Sequence, residues 1–369
     1  MERNYQMCTR CIMDTSDPFI EFDEKGVCNH CKRYDERSSK LVFTGEMGKS
    51  KLASIVDDIK RQGQGKEYDC IIGISGGVDS SYVAHKVKAL GLRPLAVHFD
   101  SGWNSELAVN NIENIVKKLD IDLYTEVCDW SEMRDLQLSF FKASVANCDI
   151  PQDHAFMAVL YRIAAQNNIH YFISGHNIAT ESCMPAAWGY TSHDLTHIMA
   201  IQKKFGTMKL KNYPRYNAFQ KYFYYPRVKK IRALHILNYE DYQKAKVKEF
   251  LKEELNWRDY GGKHYESRFT KFFQSYYLPT KFGYDKRRVH CSSLILSGQM
   301  SRQNALDELS TPPYRENEII EDKEFVAKKL GISVPAFDAI LASPNKTYKD
   351  YAYNKALNYA RDLLRKFNI

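Results

Sequence analysis

The chain has 369 residues, a length that favours two or three domains over a single core. Apolar residues make up 44% and charged residues 27%, an ordinary globular balance, and no stretch approaches the roughly 20 uncharged apolar residues of a membrane span. The net charge of +8 is concentrated in Lys203–Lys230 and Lys263–Arg288, which admits either nucleic acid or a polyanionic small substrate. The opening residues carry no apolar signal-like run, so a cytoplasmic location is expected.

The first element in chain order is a cysteine cluster. Cys8-x-x-Cys11 and Cys28-x-x-Cys31 are separated by 16 residues. A cytosolic chain is not expected to keep disulfides. Two knuckle-spaced pairs instead supply four thiolates for a tetrahedral Zn²⁺ shell. The insert holds a hairpin with Glu24-Lys25-Gly26 at its turn. The expectation is a zinc ribbon over residues 1–35, structural rather than catalytic because four cysteines fill the shell. Ligand type alone leaves an iron–sulfur cluster open, and His30 is a lesser candidate ligand.

A linker helix is expected within residues 36–66. Leu52, Ile55, Val56 and Ile59 make its apolar face, and Gly63-Gln64-Gly65 ends it. Next come an apolar strand over Tyr68–Ile74, a helix over 80–90 and a strand over Pro94–Phe99. A helix over 105–119, a strand over Asp122–Val127, a helix over 154–167 and a strand over Tyr171–Ser174 follow. Such alternation implies a parallel sheet covered on both faces, here residues 67–205. Beyond residue 205 the pattern turns aromatic, basic and mainly helical. Segments near 240–255, 265–276, 301–309, 322–330 and 350–367 are read as a substrate-binding or oligomerisation domain over 206–369.

The first strand runs into Ser75-Gly76-Gly77-Val78-Asp79-Ser80-Ser81 and then a helix. The glycines let the backbone approach a ligand closely, and the serines add hydroxyls. The unsatisfied N–H groups of the helix start favour an anion. Asp79 beside a phosphate would repel it unless a cation intervened, so it is expected to bind Mg²⁺. Neither the Walker pattern nor G-x-G-x-x-G is present. The loop resembles that of the N-type ATP pyrophosphatases, which include GMP synthetase, NAD synthetase, asparagine synthetase and tRNA thiolation enzymes. That resemblance implies ATP cleavage to AMP and pyrophosphate, with Ser75, Asp79 and Ser80 as catalytic candidates. The plain alternative is a capped Gly-Gly turn.

Ligands in open parallel sheets sit beyond the carboxyl ends of the strands. His98-Phe99-Asp100 ends the second strand, and Ser174-Gly175-His176-Asn177 ends the fourth, with Glu181 following. His98, Phe99, Asp100, Gly175 and His176 are therefore candidate nucleotide contacts, and Glu181 a candidate second Mg²⁺ ligand. Taken singly, Asp100 reads as a cap and His176 as an ordinary loop residue. Farther on, Lys263, His264, Arg268, Lys271, Lys286, Arg287 and His290 form a basic segment suited to a diphosphate or carboxylate. Each alone also reads as a solvated basic side chain.

Four stretches together carry a narrower resemblance: MCTRCIMDTSDPFIEFDEKGVCNHC, SGGVDSS, HFDSGWNSELAVNNIENIV and the segment Trp257–Arg302. From about residue 5 to about residue 315 the chain resembles the N-acetyl sugar amidotransferases of bacterial surface-glycan biosynthesis. That family implies a parallel-sheet PP-loop ATP pyrophosphatase domain, of adenine nucleotide alpha hydrolase type, between an N-terminal zinc ribbon and a helical C-terminal domain. Its substrate would be an acidic N-acetylated sugar of O-antigen or of the pseudaminic and legionaminic acids. The amide oxygen would attack the α-phosphorus of ATP, and ammonia would then displace AMP to leave an acetamidino group. No glutaminase signature is visible, so ammonia is expected from a separate glutaminase partner with a channel subunit. Nucleic acid is not an expected partner, and a homo-oligomer is compatible with the sequence. The rival reading is a tRNA thiolation enzyme, for which Cys148 and Cys183 are the only candidate catalytic thiols. A second rival is a zinc-ribbon nucleic-acid-binding protein with a relic ATP fold.

Overall fold

A computed structural model describes residues 4–262, 265–357 and 359 of the chain. Five parallel strands form one sheet: β1 (Cys70–Gly73), β2 (Pro94–Asp100), β3 (Asp122–Val127), β4 (Tyr171–Ile173) and β5 (Arg232–Leu234). Their order is β3-β2-β1-β4-β5. The winding reverses between β1 and β4, which opens a crevice at the carboxyl ends of these two strands. The sheet takes β5 from beyond residue 205, where the sequence pattern changes.

Alternation along the strands divides the core into two layers. Ile71, Leu95, Val97, Phe99 and Phe172 face one side. There they meet helices α5 (Trp130–Lys142) and α6 (Ile150–Gln166), together with the aromatic C-terminal helices. Ile72, Ile74, Ala96, Tyr171 and Ile173 face the other side, covered by α2 (Gly45–Gln62), α3 (Val78–Ala89), α4 (Glu106–Leu119) and α9 (Lys244–Leu255). The remaining early helices are α1 (Asn29–Leu41), the single turn α7 (Ile178–Glu181) and α8 (Leu195–Phe205).

The C-terminal region runs α10 (Arg268–Phe272), a π-helical stretch Phe273–Tyr277, α11 (Leu278–Phe282), α12 (Lys286–Leu296), α13 (Arg302–Ser310), α14 (Glu316–Leu330) and α15 (Val334–Ala342). Helices α1, α5, α7, α8, α11, α12 and α15 have no counterpart in the sequence reading. Helix α6 also starts earlier than its periodicity suggests. Pro151 sits in its first turn, where a missing N–H costs nothing. Only part of the 350–367 segment is described, with a 3₁₀ turn at Tyr348–Asp350 and helical residues from 355.

Several buried histidines are held neutral. His154 stacks on Tyr216 at 4.3 Å, donates from Nδ1 to the Ser192 carbonyl at 2.7 Å and accepts at Nε2 from the Tyr216 N–H at 3.3 Å. Burial lowers its pKa to about 4, and does the same for His197 and His235. An unfolded histidine binds its proton near pH 6.5, so below that pH the unfolded chain holds more protons. Stability is therefore expected to fall as pH drops from about 6.5 towards about 4. A lower urea midpoint at about pH 5 than at about pH 7.5 is the expected result, and an equal midpoint would refute it.

Candidate functional site

The phosphate loop occupies the crevice between β1 and β4. Gly76 has φ +77°, and a Cβ there would lie 2.6 Å from the Ala108 carbonyl oxygen. Only glycine satisfies both conditions. The loop braces itself: the Gly77 N–H donates to Ser75 Oγ at 3.3 Å, Ser75 and Ser80 hydroxyls meet at 3.2 Å, and the Ser80 hydroxyl donates to the Gly77 carbonyl at 3.1 Å. Val78 opens α3, and Gly77 at the cap supplies no side chain, so no side-chain cap competes for the N–H groups of the first turn. Ser81 is fully buried and supports the helix from inside.

The segment after α9 closes over this loop. The Trp257 indole N–H donates to the Gly76 carbonyl at 2.8 Å, and the Val78 N–H donates to the Tyr260 hydroxyl at 3.1 Å. A β-bridge joins Asn104 to Ser267. Around it the Ser105 N–H reaches the Glu266 carbonyl at 2.9 Å and the Arg268 N–H reaches the Trp103 carbonyl at 3.1 Å. This pairing carries the Glu266 side chain to the loop, where a Cβ on Gly77 would sit 3.2 Å from its Oε1.

Three neighbouring hollows result. The first, about 180 Å³, is lined by Ser75, Gly77, Val78, Asp79, Ser80, Gly175 and Glu181, with Lys244 and Lys248 from α9. The second, about 530 Å³, extends from Ser75 and Ser80 along His98, Phe99, Asn104 and Gly175 to Glu266, Thr270, Gln274 and Lys286. The third, about 440 Å³, is basic: Lys244, Lys248, Lys286, Arg287 and His290 all line it. Lys286 and Gln274 belong to both larger hollows.

Asp79 and Glu181 thus face one small cavity. Asp79 accepts a hydrogen bond from the Tyr242 hydroxyl, and Glu181 pairs with His176 Nδ1. Burial, with Asp79 beside it, raises the Tyr242 pKa, so the phenol keeps its proton and donates. Two carboxylates beside a phosphate cradle suit Mg²⁺, which is held by one or two carboxylates plus substrate phosphates. His176 serves Glu181 and packs edge-on to His235 at 5.2 Å. His98 donates from Nδ1 to the Ile74 carbonyl at 3.0 Å and faces Asn104 Nδ2 at 3.0 Å through Nε2. Asp100 turns away from the hollows and caps the following turn, accepting from the Gly102 N–H at 2.8 Å and Asn104 Nδ2 at 3.1 Å.

The basic segment divides. Arg268 pairs with Asp322 and covers the Phe325 ring at 3.9 Å. Lys271 pairs with Glu318 at 2.8 Å, and Arg287 with Asp285 at 2.6 Å and the carbonyls of Glu308 and Thr311. Arg268 and Lys271 line none of the three hollows, because α10 turns them toward α14. Lys286 and His290 do line them. Lys263 and His264 lie outside the described residues. Glu266, Tyr260, Trp257, Asp149, Asp153 and Gln274 escape sequence reasoning because ordinary carboxylates, amides and aromatics carry no motif.

The four N-terminal cysteines converge. Their sulfurs lie within 4.8 Å of one another, with 3.7 Å separating Cys8 from Cys31, Cys11 from Cys28, and Cys28 from Cys31. A tetrahedron with metal–sulfur bonds near 2.3 Å has edges of about 3.8 Å, so the cluster fits one shared ion. A cluster with each thiolate on its own iron would spread the sulfurs further. Backbone N–H groups of Arg10, Cys11 and Cys28 donate to Cys8 Sγ at 3.3–3.5 Å, which suits a thiolate. Cys28 and Cys31 flank the start of α1, and the expected turn forms at Asp23–Val27. His30 points away from the sulfurs and pairs with Asp17 at 2.7 Å. Arg302 binds the carbonyls of Cys8 and Cys11, and Arg288 binds Asp14 and the Ile12 carbonyl. The ribbon is thereby fastened to α12, which carries Lys286 and His290.

Cys148 and Cys183 are fully buried, and neither lines a hollow at the loop. Burial raises both thiols, Cys183 to about 11, which leaves little thiolate for attack.

A strand–SGGVDSS–helix unit at the switch point of a parallel sheet defines an ATP-using enzyme of the PP-loop class. Comparison with known proteins agrees. Residues 51–214 match the family model described as NAD synthase, and residues 266–364 match the one described as LPS biosynthesis protein WbpG-like, C-terminal domain. Residues 51–214 thus form a domain similar to NAD synthase, and residues 266–364 one similar to the C-terminal domain of WbpG-like lipopolysaccharide biosynthesis proteins. Together the two matches support an ATP-dependent enzyme of glycan biosynthesis. No curated protein matches the chain. Among solved structures, NMN synthetase from Francisella tularensis is 20% identical over 40% of this chain and 56% of its own, with a TM-score of 0.27. This chain thus spans little more than half the length of that relative. NH3-dependent NAD synthetase from Campylobacter jejuni is 15% identical over 72% of this chain and 99% of its own, TM-score 0.31. The U34-tRNA thiolase NcsA from Methanococcus maripaludis, with its [4Fe-4S] cluster, is 11% identical over 82% and 90%, TM-score 0.33. Among the described residues no helix is long and apolar enough to cross a membrane.

Two outcomes are expected of this site. Asp79→Ala should lower ATP-to-AMP turnover by about 10²-fold or more while the fold persists, and unchanged turnover would remove Asp79 from the machinery. Chelation of the four-cysteine metal, or Cys11→Ser, should lower the melting temperature, because a structural metal contributes folding free energy. Metal analysis of the chelated fraction should recover one ion per chain, and a melting curve unmoved by its loss would refute a structural role.

Proposed function

We propose that this enzyme activates the N-acetyl amide of an acidic bacterial surface sugar with ATP and converts it to an acetamidino group. The supporting observation is the shared wall of the 530 Å³ hollow: the phosphate loop forms one side, and Glu266, Ser267, Thr270, Gln274 and Lys286 of the WbpG-like domain form the other. A glycan acceptor held by that domain would lie beside the α-phosphate. The amide oxygen attacks phosphorus, pyrophosphate leaves into the loop cavity, and ammonia then displaces AMP. The step is needed because an amide oxygen leaves poorly and a phosphate ester leaves well.

Ser75, Gly77, Val78, Asp79 and Ser80 hold the phosphates in this reading, Gly76 shapes the turn, and His98, Phe99, Gly175 and His176 line or support the nucleotide side; Ser81, expected as a contact, is fully buried and lines none of the three hollows. Mg²⁺ on Asp79, with Glu181 as second carboxylate, would offset the charge developing on pyrophosphate. Zn²⁺ suits the four-thiolate ribbon, whose cysteines line none of the three hollows. Lys286 and His290 are the basic residues placed to meet an acidic sugar. Ammonia comes from a separate glutaminase, and the protein works in the cytoplasm. The domain division at residues 35, 66 and 205 belongs to the same proposal. The buried, raised thiols of Cys148 and Cys183 weigh against thiolation.

The deciding experiment incubates the chain with Mg²⁺-ATP, ammonium and a panel of N-acetyl sugars: nucleotide-linked, CMP-linked and free nonulosonic acids. Exchange of O for NH lowers the product mass by about one unit, with AMP formed in equal amount. AMP release with no mass change in any member of the panel would refute amidination.

A further inference from the structure

The hollow beside the loop contains two carboxyl groups that ATP cleavage does not use. Asp149 and Asp153 stand one helical turn apart at the start of α6, so they share a face. Both line the 530 Å³ hollow together with Ser75 and Ser80. Helix α6 is held against the strand that feeds the loop: a Cβ on Gly73 would meet the Phe156 ring at 2.4 Å. Phe156 is three residues beyond Asp153 on the same face and lines the same hollow.

The two acids differ in surroundings. Asp149 is buried and lies 3.4 Å from each of Thr270 Oγ1, Gln274 Nε2 and Gln152 Nε2. The Asp153 carboxyl takes no hydrogen bond among the described residues and is open to the hollow, with Lys286 as its facing cation. The surrounding walls of the hollow, with Asp149 next to it, raise its pKa, which suits a group that must accept a proton.

ATP and an acidic sugar are both anions, so two carboxylates here work against substrate binding alone. They do favour a cation, and the proposed reaction creates one at this place. Ammonia becomes positively charged as it bonds to carbon, and the product amidine is a planar cation able to bind carboxylates through two N–H groups. We infer that Asp149 and Asp153 form the amine end of the site, where ammonia is oriented, loses its proton and leaves as part of an amidinium. This rests on the amidination reading.

The step balances. The lone pair of ammonia forms the C–N bond at the adenylylated imidate carbon. Asp153 takes one proton from the new ammonium nitrogen. The C–O bond breaks with its electron pair to AMP, whose phosphate receives the proton from Asp153. The amidinium remains beside the carboxylates, and Gln274 and Thr270 of the WbpG-like domain hold Asp149 in place.

The test uses the full chain with acetamidinium chloride as probe and acetamide as its neutral, nearly isosteric control. Titration by nuclear magnetic resonance should show acetamidinium binding to the wild type. Binding should weaken on the order of tenfold in Asp153→Asn and in Asp149→Asn, with acetamide unaffected. Equal acetamidinium affinity in the wild type and both variants, or none in the wild type, overturns the inference. A second measurement covers a variant that folds poorly: the ratio of amidine formed to pyrophosphate exchanged into ATP, which should fall about 10²-fold in either variant. A ratio that does not move also overturns it. Failure of every N-acetyl sugar to lose mass in the wild type instead refutes the underlying amidination reading, and that result is distinct from both.

Discussion

The site depends on a chain segment from outside the nucleotide fold being tied to the phosphate loop. A Gly-Gly turn is soft by itself, since glycine has the most backbone freedom to lose on ordering. Here one carbonyl of that turn accepts from the buried Trp257 indole, and the N–H at the adjacent helix start donates to the Tyr260 hydroxyl. An indole N–H buried without an acceptor costs about 1–3 kcal/mol, so the Trp257 contact holds loop and segment in one arrangement. The bridge from Asn104 to Ser267 then fixes where the segment continues, and Glu266 arrives at the loop as a consequence.

The cysteine ribbon has a related architectural part. It lies far from the loop in sequence, yet Arg288 and Arg302 bind its carbonyls and its Asp14, and the Ile12 N–H donates to Ser292 Oγ. Helix α12 is thus clamped to the ribbon. Lys286 at its first turn gains a defined position from this. Two arginines of the basic segment serve the ribbon, Arg268 and Lys271 are neutralised by acids of α14, and Arg287 by Asp285 at the cap of its own helix. A stretch that looks like a uniform cationic surface in sequence resolves into internal braces plus a few side chains facing the hollows.

Much of the nucleotide half was legible beforehand. The strand–SGGVDSS–helix unit announces itself because glycines at a strand end and an uncapped helix start have few other uses. The strands at 94–100, 122–127 and 171–173 were visible as apolar or alternating runs between turn residues. Strand β5 was not, because Arg232-Ala-Leu234 is three residues long and polar on its exposed face. Helix α5 was missed for a similar reason: Glu132, Asp135 and Gln137 are buried polar residues that blur its apolar stripe. Glu132 accepts from the backbone N–H groups of Lys211, Asn212 and Tyr213, and Asp135 from those of Thr207 and Met208. Those partners lie some seventy to eighty residues away, beyond any local pattern.

What the sequence by itself determined is the chemistry that local spacing can encode: a phosphate loop, a four-thiolate knuckle and an alternation that demands a parallel sheet. Each follows from residues within a few positions of one another. Tertiary structure alone decided which charges remain for a substrate. It set Arg268 and Lys271 against α14, turned Asp100 into a cap, and brought Asp149, Asp153, Glu266, Gln274 and Lys286 around one hollow. The reason is physical: a charged side chain acts on whatever lies within a few ångströms, and for these residues that neighbour is supplied by another part of the chain.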